Sequence, residues 1–420
     1  MDKPMRFSGK SVKGTIVPPP SKSHTHRAFF LSALSSEECK VSNALISDDT
    51  RATLDAARSI GADVRICRSN IRICSKGLHA PGETVNAENS GTTMRIFTGI
   101  ASIFDSAVTV TGDASLRSRP MGPLLDALSE MGVTCTSNGG KAPVTVRGPN
   151  RGGDVNIPGN ISSQFISSLM IAAPMITSDT KIHIEGNLSS RPYINITKDM
   201  TERFGAEVTI SENEICVRGG TGYRGCDLTV PSDMSSAAFP LTAGALGGSV
   251  TVRNMNMNDP QGDKRIVDIL KDAGANVTVK DDKITSSSGD LRGIDVNMND
   301  IPDLFPVVAV LLSTAKGRSV LHGAPHLRLK ESDRIEATVN MLSALGADIE
   351  GTDDGCIING VKKLTGGKIE HHEDHRILMS AAIASLVCDS EVEMNKSSCY
   401  DVSYPLFPEH MKRLGFSIEV

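Results

Sequence analysis

The stretch that decides the fold is LDAARSIGADVRI, residues 54–66, in which an amphipathic helical pattern ends at Gly61 and an alternating pattern begins directly afterwards. Glycine just past the last apolar turn of a helix is the expected left-handed cap, because it has no Cβ to oppose a positive φ. The alternation from Ala62 to Ile66 is typical of a half-buried strand. The stretch therefore predicts a helix–Gly–strand element.

The same element occurs six times along the chain. The later copies begin at Leu125, Thr197, Val267, Val339 and His410, and their glycines are Gly132, Gly205, Gly274, Gly346 and Gly415. Consecutive glycines are 69–73 residues apart, which is the spacing of a repeated supersecondary unit. A more uniformly apolar helix precedes each copy, as in residues 303–315, and such helices are normally buried. We predict an α/β fold of six βαβαββ repeats with buried inner helices and outer sheets.

Composition excludes several classes of function. The 44 Lys and Arg residues against 49 Asp and Glu residues give a net charge of −5, so nucleic acid and anionic membranes are not expected partners. The longest apolar runs, such as residues 304–312, are too short to cross a bilayer, and the N-terminus lacks a secretory pattern. Nine scattered cysteines without a CxxC pair support neither a disulfide framework nor a zinc site. We expect a cytoplasmic protein.

Polar motifs cluster where the six inner helices begin. They are SKSHTHR (21–27), NSGTTMR (89–95), ISSQF (161–165), SDMSS (232–236), IPD (301–303) and EDHR (373–376). Helix capping alone is one explanation. Arg27, Arg95 and Arg376 add a cation near the first turn, however, and free N–H groups, hydroxyls and guanidinium groups together form an anion site. A helix terminus contributes only ~0.3–1 kcal/mol toward an anion, so the basic side chains must supply most of the binding. If these ends meet at one cleft, they form a pocket for a multiply anionic small molecule.

Other motifs carry weaker signals. The loop motifs SLRSRP, SSRPY and HLRLKESDR are basic, but the last also fits an exposed helix start with local ion pairs. GTGYRG, residues 220–225, matches G-x-G-x-x-G yet opens no helix, so we interpret it as a hairpin turn. His371, His372, Glu373 and His375 are spaced too densely for one helical face, so we expect cap and surface roles and no metal site.

With PPSKSHTHR, NSGTTMR, ISSQF, SSRPY, IPD, LRLKESDR and DHR in this order, the chain resembles the EPSP synthase family over essentially its whole length. The resemblance implies a two-domain inside-out α/β barrel, or prism, with three βαβαββ repeats in each domain. It implies one domain at residues 15–231 and a second at residues 1–14 and 232–420. The active site is then expected in the cleft between the domains, in a monomer.

The resemblance also implies an enzyme of aromatic amino-acid biosynthesis in the shikimate pathway. The implied reaction transfers the carboxyvinyl group of phosphoenolpyruvate to the 5-hydroxyl of 3-phosphoshikimate and releases phosphate. The reaction needs an acid and a base on either side of a tetrahedral intermediate. It breaks a C–O bond and not a P–O bond, so no metal or other cofactor is expected. The family also binds glyphosate in its phosphoenolpyruvate pocket.

Site residues follow from the resemblance, position by position. Asp303 is the implied base, and Glu331 and Lys22 are the implied groups for proton transfer at phosphoenolpyruvate. The residues implied to bind 3-phosphoshikimate are Lys22, Ser23, Arg27, Ser162, Ser163, Gln164, Ser190, Asp303 and Lys330, with Tyr193 nearby. The residues implied to bind phosphoenolpyruvate are Lys22, Gly91, Arg119, Gln164, Arg334 and Arg376, supported by Asn89, Thr92 and Arg95.

Two positions depart from the family pattern, and two other functions stay open. His326 stands where an Asn is common, and Val402 replaces a Lys that helps to bind phosphoenolpyruvate. A related UDP-N-acetylglucosamine 1-carboxyvinyltransferase would need a KN-type N-terminal motif and a reactive Cys in a mobile loop, whereas Cys135 falls in a predicted strand. A non-catalytic repeat scaffold would explain the repeats, but not the clustering of Lys, Arg and carboxylates at their starts.

Overall fold

The chain folds into two compact units, which a computed structural model describes for residues 4–68 and 70–419. The inserted unit is Pro20–Val230, and the host unit comprises the residues up to Pro19 and from Pro231 onward. Each unit has its own hydrophobic core. The first boundary lies at Pro20 rather than at residue 15, because the strand Val12–Ile16 pairs along its whole length with Gly248–Val252 of the host unit.

The helices alternate between inner and outer positions along the chain. They are α1 (Lys22–Leu34), α2 (Asp48–Ser59), α3 (Gly91–Ala101), α4 (Gly122–Glu130), α5 (Ser163–Ala172), α6 (Arg191–Arg203), α7 (Met234–Gly247), α8 (Ile266–Asp272), α9 (Phe305–Leu312), α10 (Arg334–Ala344), α11 (His375–Ala384) and α12 (Phe407–Leu414). Short 3-10 turns precede or extend several of them, including Pro302–Leu304 before α9.

The strands are short, and those of the first half are numbered in chain order as follows: β1 (Met5–Ser8), β2 (Val12–Ile16), β3 (Cys39–Ser42), β4 (Ala62–Cys67), β5 (Asn70–Ser75), β6 (Val85–Asn86), β7 (Val108–Thr111), β8 (Thr134–Asn138), β9 (Lys141–Arg147), β10 (Gly153–Pro158), β11 (Thr180–Glu185), β12 (Val208–Ile210), β13 (Glu214–Val217) and β14 (Leu228–Thr229). The second half contains β15 (Gly248–Val252), β16 (Asn276–Lys280), β17 (Lys283–Ser287), β18 (Asp295–Asn297), β19 (Arg318–His322), β20 (Asp348–Thr352), β21 (Gly355–Asn359), β22 (Gly367–Ile369), β23 (Val392–Met394) and β24 (Ser417–Glu419).

These strands form three four-stranded sheets in each unit among the described residues. The inserted unit has the orders β14-β3-β5-β4, β6-β7-β9-β8 and β10-β11-β13-β12, and the host unit has β16-β17-β15-β2, β18-β19-β21-β20 and β22-β23-β1-β24. Each sheet contains one parallel pair, such as β10 with β11, and antiparallel pairs elsewhere. The leading strands of two repeats are exchanged, because β2 pairs with β15 and β14 pairs with β3.

Within each unit the apolar helices lie inside and the sheets lie outside, as predicted. Every residue of α9 is buried, whereas α12 buries one stripe. In the host unit α7, α9 and α11 pack against one another, and in the inserted unit α3 packs against α1 and α5. The six repeat glycines have φ values between 86° and 117°, which confirms the left-handed caps. Among the helices described, none combines the length and the apolar character needed to cross a bilayer.

Candidate active site

Three inner helices of the inserted unit begin at the predicted polar motifs. Ser21, Ser90 and Ser162 cap α1, α3 and α5, and the side chain of each accepts a hydrogen bond from a backbone N–H of the first turn. These bonds satisfy donors that a helix start otherwise leaves without partners. Capping therefore accounts for three serines, and buried hydrogen bonds within the unit account for Thr25, His26 and Thr93.

Arg27 is a buried cation whose described acceptors are all uncharged oxygens. Its side chain is 1% exposed. It donates to the hydroxyl groups of Thr197 and Ser167 at 2.8 and 3.1 Å, and to the carbonyl oxygens of Ser23 and Tyr193. Burial lowers the pKa of Arg27 to about 10, so the guanidinium group stays charged at neutral pH. A buried positive charge held by neutral groups favours a bound anion beside it.

Lys22 opens α1 and forms an ion pair with Asp49. Its Nζ lies 3.0 Å from Asp49 Oδ2, and both side chains are largely buried. Asp49 lies near the start of α2, so the packing of α1 on α2 aligns the pair.

Gly91 lies among the ends of three polar side chains. A Cβ built on Gly91 would lie 3.3 Å from Arg119 Nη1, 3.4 Å from Arg95 Nη1 and 3.7 Å from Gln164 Oε1. Arg95 donates to Gln164 at 2.6 Å, and Arg119 donates to Asn89 at 2.5 Å. The structure thus brings Gly91, Arg119 and Gln164 together, with the guanidinium groups of Arg95 and Arg119 beside the buried first turn of α3.

Ser190 immediately precedes α6 of the inserted unit, and Tyr193 lies in the first turn of that helix. Ser190 has φ of 60°, an uncommon left-handed conformation for a residue other than glycine, and its side chain makes no capping bond. Such strained residues concentrate at ligand sites. Ser163 is the first residue of α5, and Thr92 is the second residue of α3, where it accepts a hydrogen bond from Gln164 at 2.9 Å.

Asp303 is the centre of the host-unit cluster. It lies in the 3-10 turn before α9, and 19% of its side chain is exposed. Arg334 Nη1 donates to Asp303 Oδ1 at 2.9 Å, and Arg376 Nη2 donates to Asp303 Oδ2 at 2.6 Å. Burial raises the pKa of Asp303, but Arg376 and Arg334 outweigh burial and hold that pKa well below its usual range. The carboxylate is therefore ionised and bound by two cations.

Arg334 binds three carboxylates at once. Its Nε donates to Asp374 Oδ2 at 3.0 Å, and Nη2 contacts Glu331 at 2.5 Å. Arg334 is 1% exposed and Asp374 is 0% exposed, so this pair is fully buried. Burial raises the pKa of Asp374 and Arg334 lowers it, with a net decrease. Asp374 also caps α11 by accepting a hydrogen bond from the backbone N–H of Arg376 at 2.9 Å.

A second buried carboxyl lies near Asp303. Asp263 is 3% exposed, its Oδ2 accepts from the Ser235 hydroxyl, and its Oδ1 has no hydrogen-bond partner among the described residues. Burial, followed by the charge of Asp303, raises the pKa of Asp263 to about 7. Asp263 therefore holds a proton over part of the neutral pH range.

The two departures from the family pattern both lie in the host unit. His326 is buried, and both ring nitrogens lack partners among the described residues. Burial, followed by Lys330, lowers the pKa of His326 to about 3. Val402 ends the 3-10 turn Cys399–Val402, and its side chain offers no donor to an anion.

The histidine-rich segment brings three metal-ligand atoms within 4.8 Å of one another, from His371, Glu373 and Cys399. The sequence does not indicate that Cys399 lies beside His371 and Glu373. Both nitrogens of His371 are within hydrogen-bond distance of backbone, Nδ1 of the Glu373 N–H at 3.1 Å and Nε2 of the Asn395 carbonyl at 3.2 Å. Glu373 accepts a hydrogen bond from the Ser397 hydroxyl. These bonds give His371 and Glu373 structural roles.

The sequence did not single out two carboxylates of these clusters, Asp49 and Asp263, and it gave Asp374 of the EDHR motif no role beyond capping. All three lie close in sequence to helix starts, where capping accounts for an acidic residue without any further role. Their burial, which the sequence does not show, is what distinguishes these carboxylates from ordinary helix caps. Of the basic loop residues, Arg328 pairs with Asp333 at 2.7 Å on the surface, so local ion pairing explains that position.

Comparisons with known proteins agree with one another. The family model described as EPSP synthase (3-phosphoshikimate 1-carboxyvinyltransferase) matches residues 8–411. A protein of that enzyme name from Methanocorpusculum labreanum is 46% identical over 97% of both chains, and one from Methanothrix thermoacetophila is 43% identical over 98% of both. A solved EPSP synthase structure from Acinetobacter baumannii has a TM-score of 0.85 with 29% identity over 100% of both chains.

Proposed function

Because the chain belongs to the EPSP synthase family, we infer that it transfers the enolpyruvyl group of phosphoenolpyruvate to the 5-hydroxyl of 3-phosphoshikimate. The products are 5-enolpyruvylshikimate 3-phosphate and phosphate, in the shikimate pathway of aromatic amino-acid biosynthesis. The match along almost the whole chain carries this inference. The related enzyme that acts on UDP-N-acetylglucosamine is not favoured, since the curated relatives bear the 3-phosphoshikimate name.

Asp303 takes the proton of the 5-hydroxyl as the oxygen bonds to C2 of phosphoenolpyruvate. Glu331 and Lys22 serve proton transfer at the methylene carbon C3. Support for Asp303 comes from its partly exposed carboxylate at the start of an inner helix. Glu331 is also partly exposed and lies beside the same guanidinium group.

Binding of 3-phosphoshikimate uses basic and hydroxyl side chains from several helix starts. These residues are Lys22, Ser23, Arg27, Ser162, Ser163, Gln164, Ser190, Asp303 and Lys330, with Tyr193 nearby. The burial of Arg27 among neutral oxygens supports this role, because an anion neutralises a charge that the neighbouring side chains leave uncompensated. The strained Ser190 supports it as well.

Binding of phosphoenolpyruvate uses Lys22, Gly91, Arg119, Gln164, Arg334 and Arg376, supported by Asn89, Thr92 and Arg95. Gly91 allows a phosphate to approach the backbone closely, where a side chain would intrude beside Arg119. A monomeric state and a cytoplasmic location stay predictions from the sequence.

A phosphate-release assay tests the proposed function. Protein mixed with phosphoenolpyruvate and 3-phosphoshikimate is expected to release phosphate in the presence of EDTA, because guanidinium and ammonium groups neutralise the substrate charge and no P–O bond is broken. The same mixture with UDP-N-acetylglucosamine in place of 3-phosphoshikimate is the control. Release only in the control, or in neither mixture, would contradict the assignment.

A further inference from the structure

The host-unit cluster balances its own charge before any substrate binds. Its cations are Lys330, Arg334 and Arg376, and its carboxylates are Asp303, Glu331 and Asp374. Three positive charges therefore face three negative charges, and the neighbouring Asp263 adds negative charge when it is ionised. An anion gains little binding free energy from such a cluster unless it displaces a carboxylate from a guanidinium group.

Asp303 is the partly exposed carboxylate that holds both guanidinium groups, whereas Glu331, which is also partly exposed, contacts Arg334. Both oxygens of Asp303 accept from a guanidinium group, Oδ1 from Arg334 and Oδ2 from Arg376, yet it remains 19% exposed. Asp374 is 0% exposed and accepts both from Arg334 and from the backbone N–H of Arg376, so it is fixed in place. Of the three carboxylates, Asp303 is thus the one whose displacement would release both guanidinium groups.

We propose that Arg334 and Arg376 keep Asp303 a poor base in the free enzyme, and that anionic substrate makes Asp303 a strong base by taking these guanidinium groups from it. This inference rests on the proposed function and deepens it. The proton of the 5-hydroxyl then moves to an Asp303 oxygen, the hydroxyl oxygen bonds to C2 of phosphoenolpyruvate, and C3 gains a proton from Glu331 or Lys22. The C2–O bond to phosphate then breaks, phosphate leaves, and C3 returns a proton to the same group.

The direction of the pKa shift of Asp303 agrees with this geometry. Burial alone raises the pKa of Asp303, and the two guanidinium groups are the main groups that lower it. When they turn to a bound anion, the effect of burial remains, so the pKa of Asp303 rises. The charged and titratable groups that interact with Asp303 are Arg376, Arg334, Lys330, Glu331, His326 and Asp263. Of these, Arg334 and Arg376 are the two cations that donate to Asp303 in the described hydrogen bonds.

The test measures anion binding without turnover. Glyphosate is titrated calorimetrically into wild-type protein and the variant Asp303→Asn, each saturated with 3-phosphoshikimate, in two buffers of different ionisation enthalpy. Asn carries no charge to compete for the guanidinium groups, so Asp303→Asn is expected to bind glyphosate about tenfold more tightly than wild type. When glyphosate binds, wild-type protein is expected to take up a larger fraction of a proton from the buffer than the variant does.

Controls separate this effect from misfolding and from general charge. Asp348→Asn removes the same charge from an exposed position of β20. Its glyphosate affinity and its proton uptake should both equal those of wild type. Asp303→Ser is a second neutral variant, and thermal unfolding of all proteins checks their folding. Equal affinity and equal proton uptake in wild type and the neutral variants, or no binding by the variants, would overturn the proposal. Wild-type phosphate release, measured on the same sample, shows separately whether the proposed function holds.

Discussion

At the scale of single residues, the site depends on carboxylates and guanidinium groups that neutralise one another. Asp303 receives one hydrogen bond from Arg334 and one from Arg376, and Lys22 is paired with Asp49. The sequence motifs identify the basic residues. They do not identify the carboxylate partners of Arg334, Arg376 and Lys22, because these partners lie 31, 73 and 27 positions away in sequence, respectively.

Replacing Asp303 by alanine should lower kcat far more than it weakens substrate binding. Loss of a general base costs about 10²–10⁴-fold in rate, so we expect a fall of this order in kcat. The KM for phosphoenolpyruvate should not rise, because the guanidinium groups remain and lose a competing carboxylate. Steady-state kinetics of Asp303→Ala and of the surface variant Asp348→Ala measure both quantities. A loss confined to KM would make Asp303 a binding residue.

Gly91→Ala should weaken phosphoenolpyruvate binding with little effect on folding. The new Cβ would lie 3.3 Å from the end of Arg119, a flexible side chain that can shift. The space beside the backbone would be filled, so the KM for phosphoenolpyruvate should rise roughly tenfold, and inhibition by glyphosate should weaken in parallel. Initial rates with and without glyphosate provide the measurement. Unchanged values for both would place the pocket elsewhere.

At the scale of elements, the repeat is a helix that ends at a left-handed glycine before a short strand. This junction was predictable six times, because the helical period, the glycine and the alternation are local properties of the chain. The starts of the inner helices were less predictable. In α9 the residues assigned to one helix divide into the 3-10 turn Pro302–Leu304 and the helix Phe305–Leu312.

Gly205→Ala should destabilise the inserted unit through backbone strain. Gly205 has φ of 91°, and a Cβ added there would contact only the flexible side chain of Arg224 at 3.4 Å or more. The conformational penalty of alanine there is roughly 1–2 kcal/mol. Urea unfolding measures the change in the free energy of unfolding. Gly122→Ala is the matched control, since φ of Gly122 is not positive and its Cβ would meet nothing within 4 Å; equal losses in the two variants would argue against strain.

At the scale of the whole molecule, both units contain buried histidines that stay uncharged. Burial, followed by Arg27, lowers the pKa of His24 to about 3, and burial followed by Lys330 lowers the pKa of His326 to the same range. The unfolded chain binds protons at these positions near pH 6.5, whereas the folded protein binds them only near pH 3. Acid therefore favours unfolding between these values.

Stability should accordingly decrease as pH falls from about 6.5 toward 3, by about 1 kcal/mol per pH unit for each such histidine. Urea unfolding at several pH values in this range measures the slope. His24→Gln should reduce the slope for the inserted unit, whereas His79→Gln, at an exposed position, should leave it unchanged. The same slope in all three proteins would contradict the role of His24.

The sequence by itself determined the six repeats, the inner position of the apolar helices and the residue types at their starts, because these depend on period, capping and hydrophobicity along short segments. Only the tertiary structure decided that β2 pairs with β15 and β14 with β3, and that Asp303 binds two guanidinium groups beside the buried Asp263. Strand exchange and ion pairing join segments far apart in sequence, and burial, which sets the charge state of each carboxyl group, exists only after the chain has packed.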